Sequence, residues 1–174
     1  MKRVSHKTAH GAGGKLISAP CFSQAERLVG LGFRHWLHGY RTGDISRWEK
    51  VWCSYSGAMG AQAAKSAVCR LSDWVRAITA HTHRPLETSL GDCPGFCRDE
   101  CVAIAMIAAC QHNACPAMRA CAFALLGCSM IDEVVQGAEN FAASMREADQ
   151  VLSPEHVREL PLLAALSPAT ELRH

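Results

Sequence analysis

Three cysteines stand four residues apart in Cys93-Pro-Gly-Phe-Cys97-Arg-Asp-Glu-Cys101, a C-x3-C-x3-C spacing. If a helix opens at Cys97, then Cys97 and Cys101 lie one turn apart on one face, about 40° from each other at roughly 100° per residue. Cys93 falls in the preceding loop and is able to fold back over that turn. A helix N-terminus favours the thiolate, which is the form of cysteine that binds metal or reacts with an oxidant. Three sulfurs so placed suit a soft metal (zinc, copper or an iron–sulfur cluster) or a redox sensor. Asp99 and Glu100 act against this, because their charge opposes further negative charge. A tetrahedral set needs a fourth ligand. His112 and Cys115 lie in a turn between helices and are the expected donors, with His83 in reserve. The expected metal set is therefore Cys93, Cys97 and Cys101 with His112 or Cys115.

The chain has ten cysteines in all. Cys110 lies about 130° from Cys101 around a helix and points away from the first group. Cys121 and Cys128 are seven apart and share a face provided their helix extends to Cys128. Set among Ala, Ile and Leu, Cys110, Cys121 and Cys128 read as small core residues. Cys21, Cys53 and Cys69 read as incidental, with Cys53 and Cys69 off the apolar stripes of their helices and semi-exposed. The helical cysteines four and seven apart over residues 93–128 are similar to those of cysteine-lined helical bundles that store copper in the cytosol. That resemblance rests on spacing; those proteins are denser in cysteine and lack the Trp-rich first half found here. Cys93-Pro94 and Cys115-Pro116 match the short Cys-Pro pattern of thiolate haem ligation, although Pro116 is already explained as a helix starter.

Other sites are weaker. His35 and His38 are three apart with no acid spaced to join them, which suits a solvated surface. Trp36, Trp48, Trp52 and Trp74 recur at core spacing and read as packing. With Phe33 and Tyr40 they alternatively line a small-molecule groove or a partner surface. The chain contains no nucleotide-binding loop, nucleophile elbow, Glu-x-x-His or His-Glu-x-x-His pattern, so enzymatic activity has no support from motifs. The arginines are scattered among acids and the net charge is only +2, so no nucleic-acid partner is expected.

The elements that must position these residues are helices. Ser23-Gln-Ala-Glu26 is a capping box, followed by Leu28, Val29, Phe33, Trp36 and Leu37, with Gly39 as an expected stop. Asp44 caps a second helix whose Trp48, Val51, Trp52, Tyr55 and Met59 form one stripe. A third spans about residues 61–80, with Ala64, Ala67, Val68, Leu71, Val75 and Ile78 on one face. Pro85, Gly91, Pro94 and Gly95 break the pattern over 81–96. A fourth helix begins near Cys97 or Arg98, with Asp99 and Glu100 in its first turn, and ends at Gln111-His112-Asn113. Pro116 opens a fifth that runs to about Leu126. Ser129 with Asp132 starts a sixth, and Ser153-Pro-Glu155 a short last one stopped by Pro161. The expectation is an all-α, compact bundle of six or seven helices with a long irregular connection near 81–96.

At 174 residues, 49% hydrophobic and 20% charged, the chain is long enough for a real core. Residues 21–160 are expected to form a single helical domain. Residues 1–20, with Lys2, Arg3, Lys7, Lys15 and no acid, read as a mobile basic tail, and 161–174 as a frayed end. The longest apolar stretch, Val102 to Cys110, is about half of the roughly 20 residues a membrane crossing needs. Cysteines inside helical patterns, with no export signal before them, suit the reducing cytoplasm better than a secreted disulfide scaffold. Two functions follow as expectations. One is a cysteine-rich helical protein that binds a soft metal or senses redox state through residues 93–115. The other is a helical adaptor or regulatory subunit with incidental cysteines that binds a protein partner or associates with itself.

Overall fold

The computed structural model describes residues 22–89, 91 and 93–158. The expectations for the 1–20 tail, the 161–174 end and Cys21 lie outside the described residues. Among the described residues, seven helices follow in order: α1 (Gln24–Thr42), α2 (Ile45–Met59), α3 (Ala61–His81), α4 (Arg98–Gln111), α5 (Cys115–Leu126), α6 (Asp132–Glu147) and α7 (Glu155–Arg158). No β-strand occurs among the described residues. The chain is an all-α bundle, as the periodicity predicts.

The caps explain where the helices start and stop. Ser23 and Glu26 form the expected capping box. Asp44 accepts from the backbone N–H of Ser46 at 3.1 Å and opens α2. Gly39 does not stop α1; the helix runs a further turn to Thr42 and ends at Gly43, at φ 71°. Gly39 serves packing instead, because a Cβ there would overlap the indole of Trp48. Ser129 does not cap α6, whose first residue is Asp132 and whose N-cap position is Ile131. The fifth helix stops at Gly127, so Cys128 lies beyond it and does not share a helix face with Cys121.

The layering follows from how many sides of each helix are apolar. Every residue of α4 from Cys101 to Ala109 is buried, as a helix apolar all round requires. It packs against α1, α5 and α6, while α3 packs on α6 and α1. The outer helices are α2, which lies on α1 and α3, and α5, which lies chiefly on α4. Phe33, Trp74 and Phe141 join the layers, with Trp74 stacked on Phe141 at 5.7 Å and tilted on Phe33 at 5.9 Å.

The ends of α4 and α6 are built alike and tied together. Asn113 and Asp149 adopt the left-handed conformation at φ 54° and 57°. The Ala114 N–H then reaches the Ala109 carbonyl at 2.9 Å, and the Gln150 N–H reaches the Met145 carbonyl at 2.9 Å, the Schellman closure of a helix end. The buried Gln111 amide joins the two, donating to the Gln150 carbonyl at 2.9 Å and accepting from the Leu152 N–H at 2.8 Å.

Candidate functional site

The C-x3-C-x3-C segment enters α4 as its spacing predicts, with Cys97 at the N-cap position and Cys101 one turn on. Each sulfur there meets its own local surroundings. The buried Cys97 thiol donates to the Glu87 carbonyl at 3.2 Å. Burial pushes its pKa up to about 11, and the neighbouring Glu100 charge acts in the same direction. The Cys101 sulfur is buried, 3.9 Å from the Phe96 carbonyl. Cys93 is half-buried in the loop, where its carbonyl accepts from the Arg34 guanidinium at 2.8 Å.

The other two expected ligands are at the far end of the helix. Fifteen steps separate the N-cap Cys97 from the C-cap His112, about 22 Å at ~1.5 Å per residue. His112 Nε2 is engaged with the Leu152 carbonyl at 2.8 Å. Cys115 is exposed at the first position of α5, and the reserve donor His83 is exposed. The structure therefore does not bring His112, Cys115 or His83 to the three cysteines. Among the described residues, no group of three or more His, Cys, Asp or Glu side chains is placed to hold a metal ion. Of the remaining cysteines, Cys53 and Cys69 are exposed, Cys121 is buried, and Cys110 and Cys128 are half-buried against the core. Burial raises the Cys110 and Cys121 thiols to about 12 each.

What converges at the start of α4 is a pair of carboxylates and two arginines. Glu100 is fully buried and meets the equally buried Arg34 through Nε–Oε1 at 2.7 Å and Nη2–Oε2 at 2.9 Å. Arg34 also donates to the carbonyl of Gly95 at 2.5 Å. Glu100 further accepts from the N–H groups of Ser89 and Cys97, at 2.9 Å each. Beside it, buried Asp99 takes both Nη atoms of Arg84 at 3.0 and 2.5 Å and the Glu87 N–H at 2.8 Å. Arg84 in turn reaches the Ala124 carbonyl of α5 at 2.9 Å. These bonds fasten the 82–97 connection onto α4. They satisfy the charges they bury, so the arrangement holds a loop in place.

Sequence reasoning treats these arginines as scattered surface charge and Asp99 and Glu100 as dipole partners. Local spacing gave no signal for the pair, because Arg27 and Arg41 stand seven residues either side of Arg34 on the same side of α1 and both are exposed.

The aromatic residues divide between core and surface. Trp74 is fully buried, while Trp52 is 40%, Tyr40 38% and Ile45 64% exposed. Ile45, Trp48 and Trp52 follow one another along one flank of α2. Trp48 lies 5.7 Å from Trp36 and 5.9 Å from Tyr40 of α1, centroid to centroid. The Tyr40 hydroxyl is partly buried, which raises its pKa, but hydrogen bonds with Ser72 and Arg76 outweigh this and set it below the ordinary value. The result is one aromatic surface across α1 and α2 with an arginine of α3 at its edge. On α5 Phe123 is 57% exposed, and Met130, in the segment after that helix, is 66% exposed. Compared with known protein families, curated protein sequences and solved structures, the chain matches none.

Proposed function

We propose that this protein is a helical interaction module, an adaptor or regulatory subunit, that binds a protein partner through the aromatic surface of α1 and α2. The observation that carries this reading is the joint exposure of Tyr40, Ile45 and Trp52 around the Trp36–Trp48 pair. Trp, Tyr and Arg dominate the energetics of protein interfaces, since they offer large areas at low conformational cost. Single exposed apolar residues are ordinary, but a contiguous patch marks a contact surface.

The thiol reading, a soft metal or redox function at residues 93–115, has less support. Metal binding needs deprotonated sulfur, and the burial of Cys97 favours its neutral form. Its ligands are also divided between the two ends of α4. No helix among the described residues is long and apolar enough to cross a membrane. The proposal keeps the protein in the cytoplasm, where the exposed Cys53, Cys69 and Cys115 remain thiols.

The test is a photo-crosslinking residue at position 52, compared with the same residue at position 136, which is exposed on α6. A discrete protein adduct at 52 and none at 136 is expected in cells that make the protein. Equal adducts at both positions, or none at 52, would refute the module reading.

A further inference from the structure

The chain after α6 is fastened in two stages. In the first, the Gln111 amide holds the Gln150 carbonyl at 2.9 Å and the Leu152 N–H at 2.8 Å. His112 Nε2 donates to the Leu152 carbonyl at 2.8 Å, a bond that a neutral or a protonated ring can make. The second stage begins at Ser153 and rests on Glu26 of α1, a carboxylate only 2% exposed. Its Oε1 accepts from the Ser153 N–H at 3.0 Å and lies 3.1 Å from His156 Nε2. Its Oε2 takes the Ser23 N–H at 2.6 Å. The His156 ring also stacks on Phe22, with 5.2 Å between centroids and 10° between planes. The short α7 that carries His156 packs on α4 and contains no buried residue. Beneath it, α4 is buried throughout from Cys101 to Ala109.

We propose that residues 153–158 form a pH-sensitive strap over α4, fastened to Glu26 while His156 is protonated and released when its ring loses the proton. Such a strap is separate from the aromatic surface of α1 and α2 and adds a regulated element to the module. Imidazole is the side chain whose charge ordinarily changes between about pH 5 and 8. Glu26 keeps its charge over that range. Burial raises its pKa, but the Ser23 and Ser153 N–H groups and the His156 imidazole outweigh this and set it below the ordinary value of 4.5. The other groups around His156 are few among the described residues. On α1 the charge next to Glu26 is the exposed Arg27. From Cys101 to Cys110, α4 has no charged side chain, and its titratable groups there are those two thiols. Glu155 and Arg158 of α7 itself are exposed and opposite in sign. His112 belongs to the first stage. The tie is therefore present while both groups are charged and is lost as pH rises through the imidazole range. An uncharged ring leaves the buried carboxylate without this cation, which favours opening of Glu26 to water. Opening of this kind is local, because Gln111 and His112 still hold Leu152. It uncovers Phe22 and the side of α4 beneath α7.

The experiment is NMR on the labelled full chain, titrated from about pH 5.5 to 8. The Ser153 amide signal should move with the same midpoint as the His156 ring. Backbone order parameters of residues 155–158 should fall from near 0.85 below that midpoint to under about 0.6 above it. Leu152 should stay ordered throughout. In His156→Gln the strap should be loose at both ends of the range and show no transition. In Glu26→Gln the ring should titrate without moving the strap; should that variant fail to fold, His156→Gln carries the test alone. A wild-type strap equally ordered at both ends would overturn the proposal. So would a transition that persists in His156→Gln, which would belong to His112, or a strap that stays ordered in that variant.

Discussion

Arg34 of α1 and Glu100 of α4 face each other through two parallel hydrogen bonds, 66 residues apart in sequence and both shut off from solvent. Their arrangement is the bidentate one that suits guanidinium and carboxylate best. Its cost is the removal of two charges from water, offset by the backbone groups of the 82–97 connection that bond to the same two side chains. The pair therefore joins two helices and a loop at one point.

Removing one partner leaves a buried charge alone. Arg34→Ala or Glu100→Ala should each destabilise the protein by about 3–5 kcal/mol, read from urea denaturation, and should open 82–97 to proteolysis. The double substitution Arg34→Met with Glu100→Met should cost less than the two alanine effects added, because no charge is stranded. Additive losses would show that the two residues act separately.

The tryptophans separate folding from binding. Trp74→Ala empties a fully buried site and should cost about 3–5 kcal/mol. Trp52→Ala, at a position 40% exposed, should change stability by less than about 1 kcal/mol while weakening association. Equal stability losses at both positions, with association unchanged, would mean that Trp52 is a core residue and not a contact.

Thiol reactivity should follow burial. Cys53, Cys69 and Cys115 are exposed and should react quickly with a disulfide reagent in the native protein, whereas Cys97, Cys101 and Cys121 should react only on unfolding. The linkage sign is set by the raised values. The folded protein holds the Cys97 proton to about 11 and the Cys110 and Cys121 protons to about 12, against an ordinary value of 9.0. Stability should be unaffected by these groups below pH 9.0 and fall as pH rises towards those values. Stability that rises over this range would contradict the burial of the thiols.

Metal content distinguishes the two functional readings. Protein purified anaerobically should contain less than stoichiometric zinc, copper and iron, and Cys97→Ser should leave association intact, since a serine hydroxyl also donates to the Glu87 carbonyl. A stoichiometric metal lost in Cys97→Ser but kept in Cys53→Ser would establish the thiolate reading in its place.

By itself the sequence determined the helices, because their signals are local. Apolar spacing, the Ser23–Glu26 box, the Asp44 cap and the breakers between Pro85 and Gly95 all act within a few residues. The same rise per residue that defines α4 also separates Cys97 from His112, so the division of the expected ligand set was legible too. Only the tertiary structure decided which sides of the helices are covered. Trp52 lies on the same stripe as Val51 and Tyr55, yet it is exposed while they are buried, because α1 and α3 cover only part of that stripe. Likewise Arg34 and Glu100 carry ordinary surface identities until the packing of α1 on α4 removes both from water. Periodicity specifies a face, but what lies against that face is set by contacts between residues far apart in the chain.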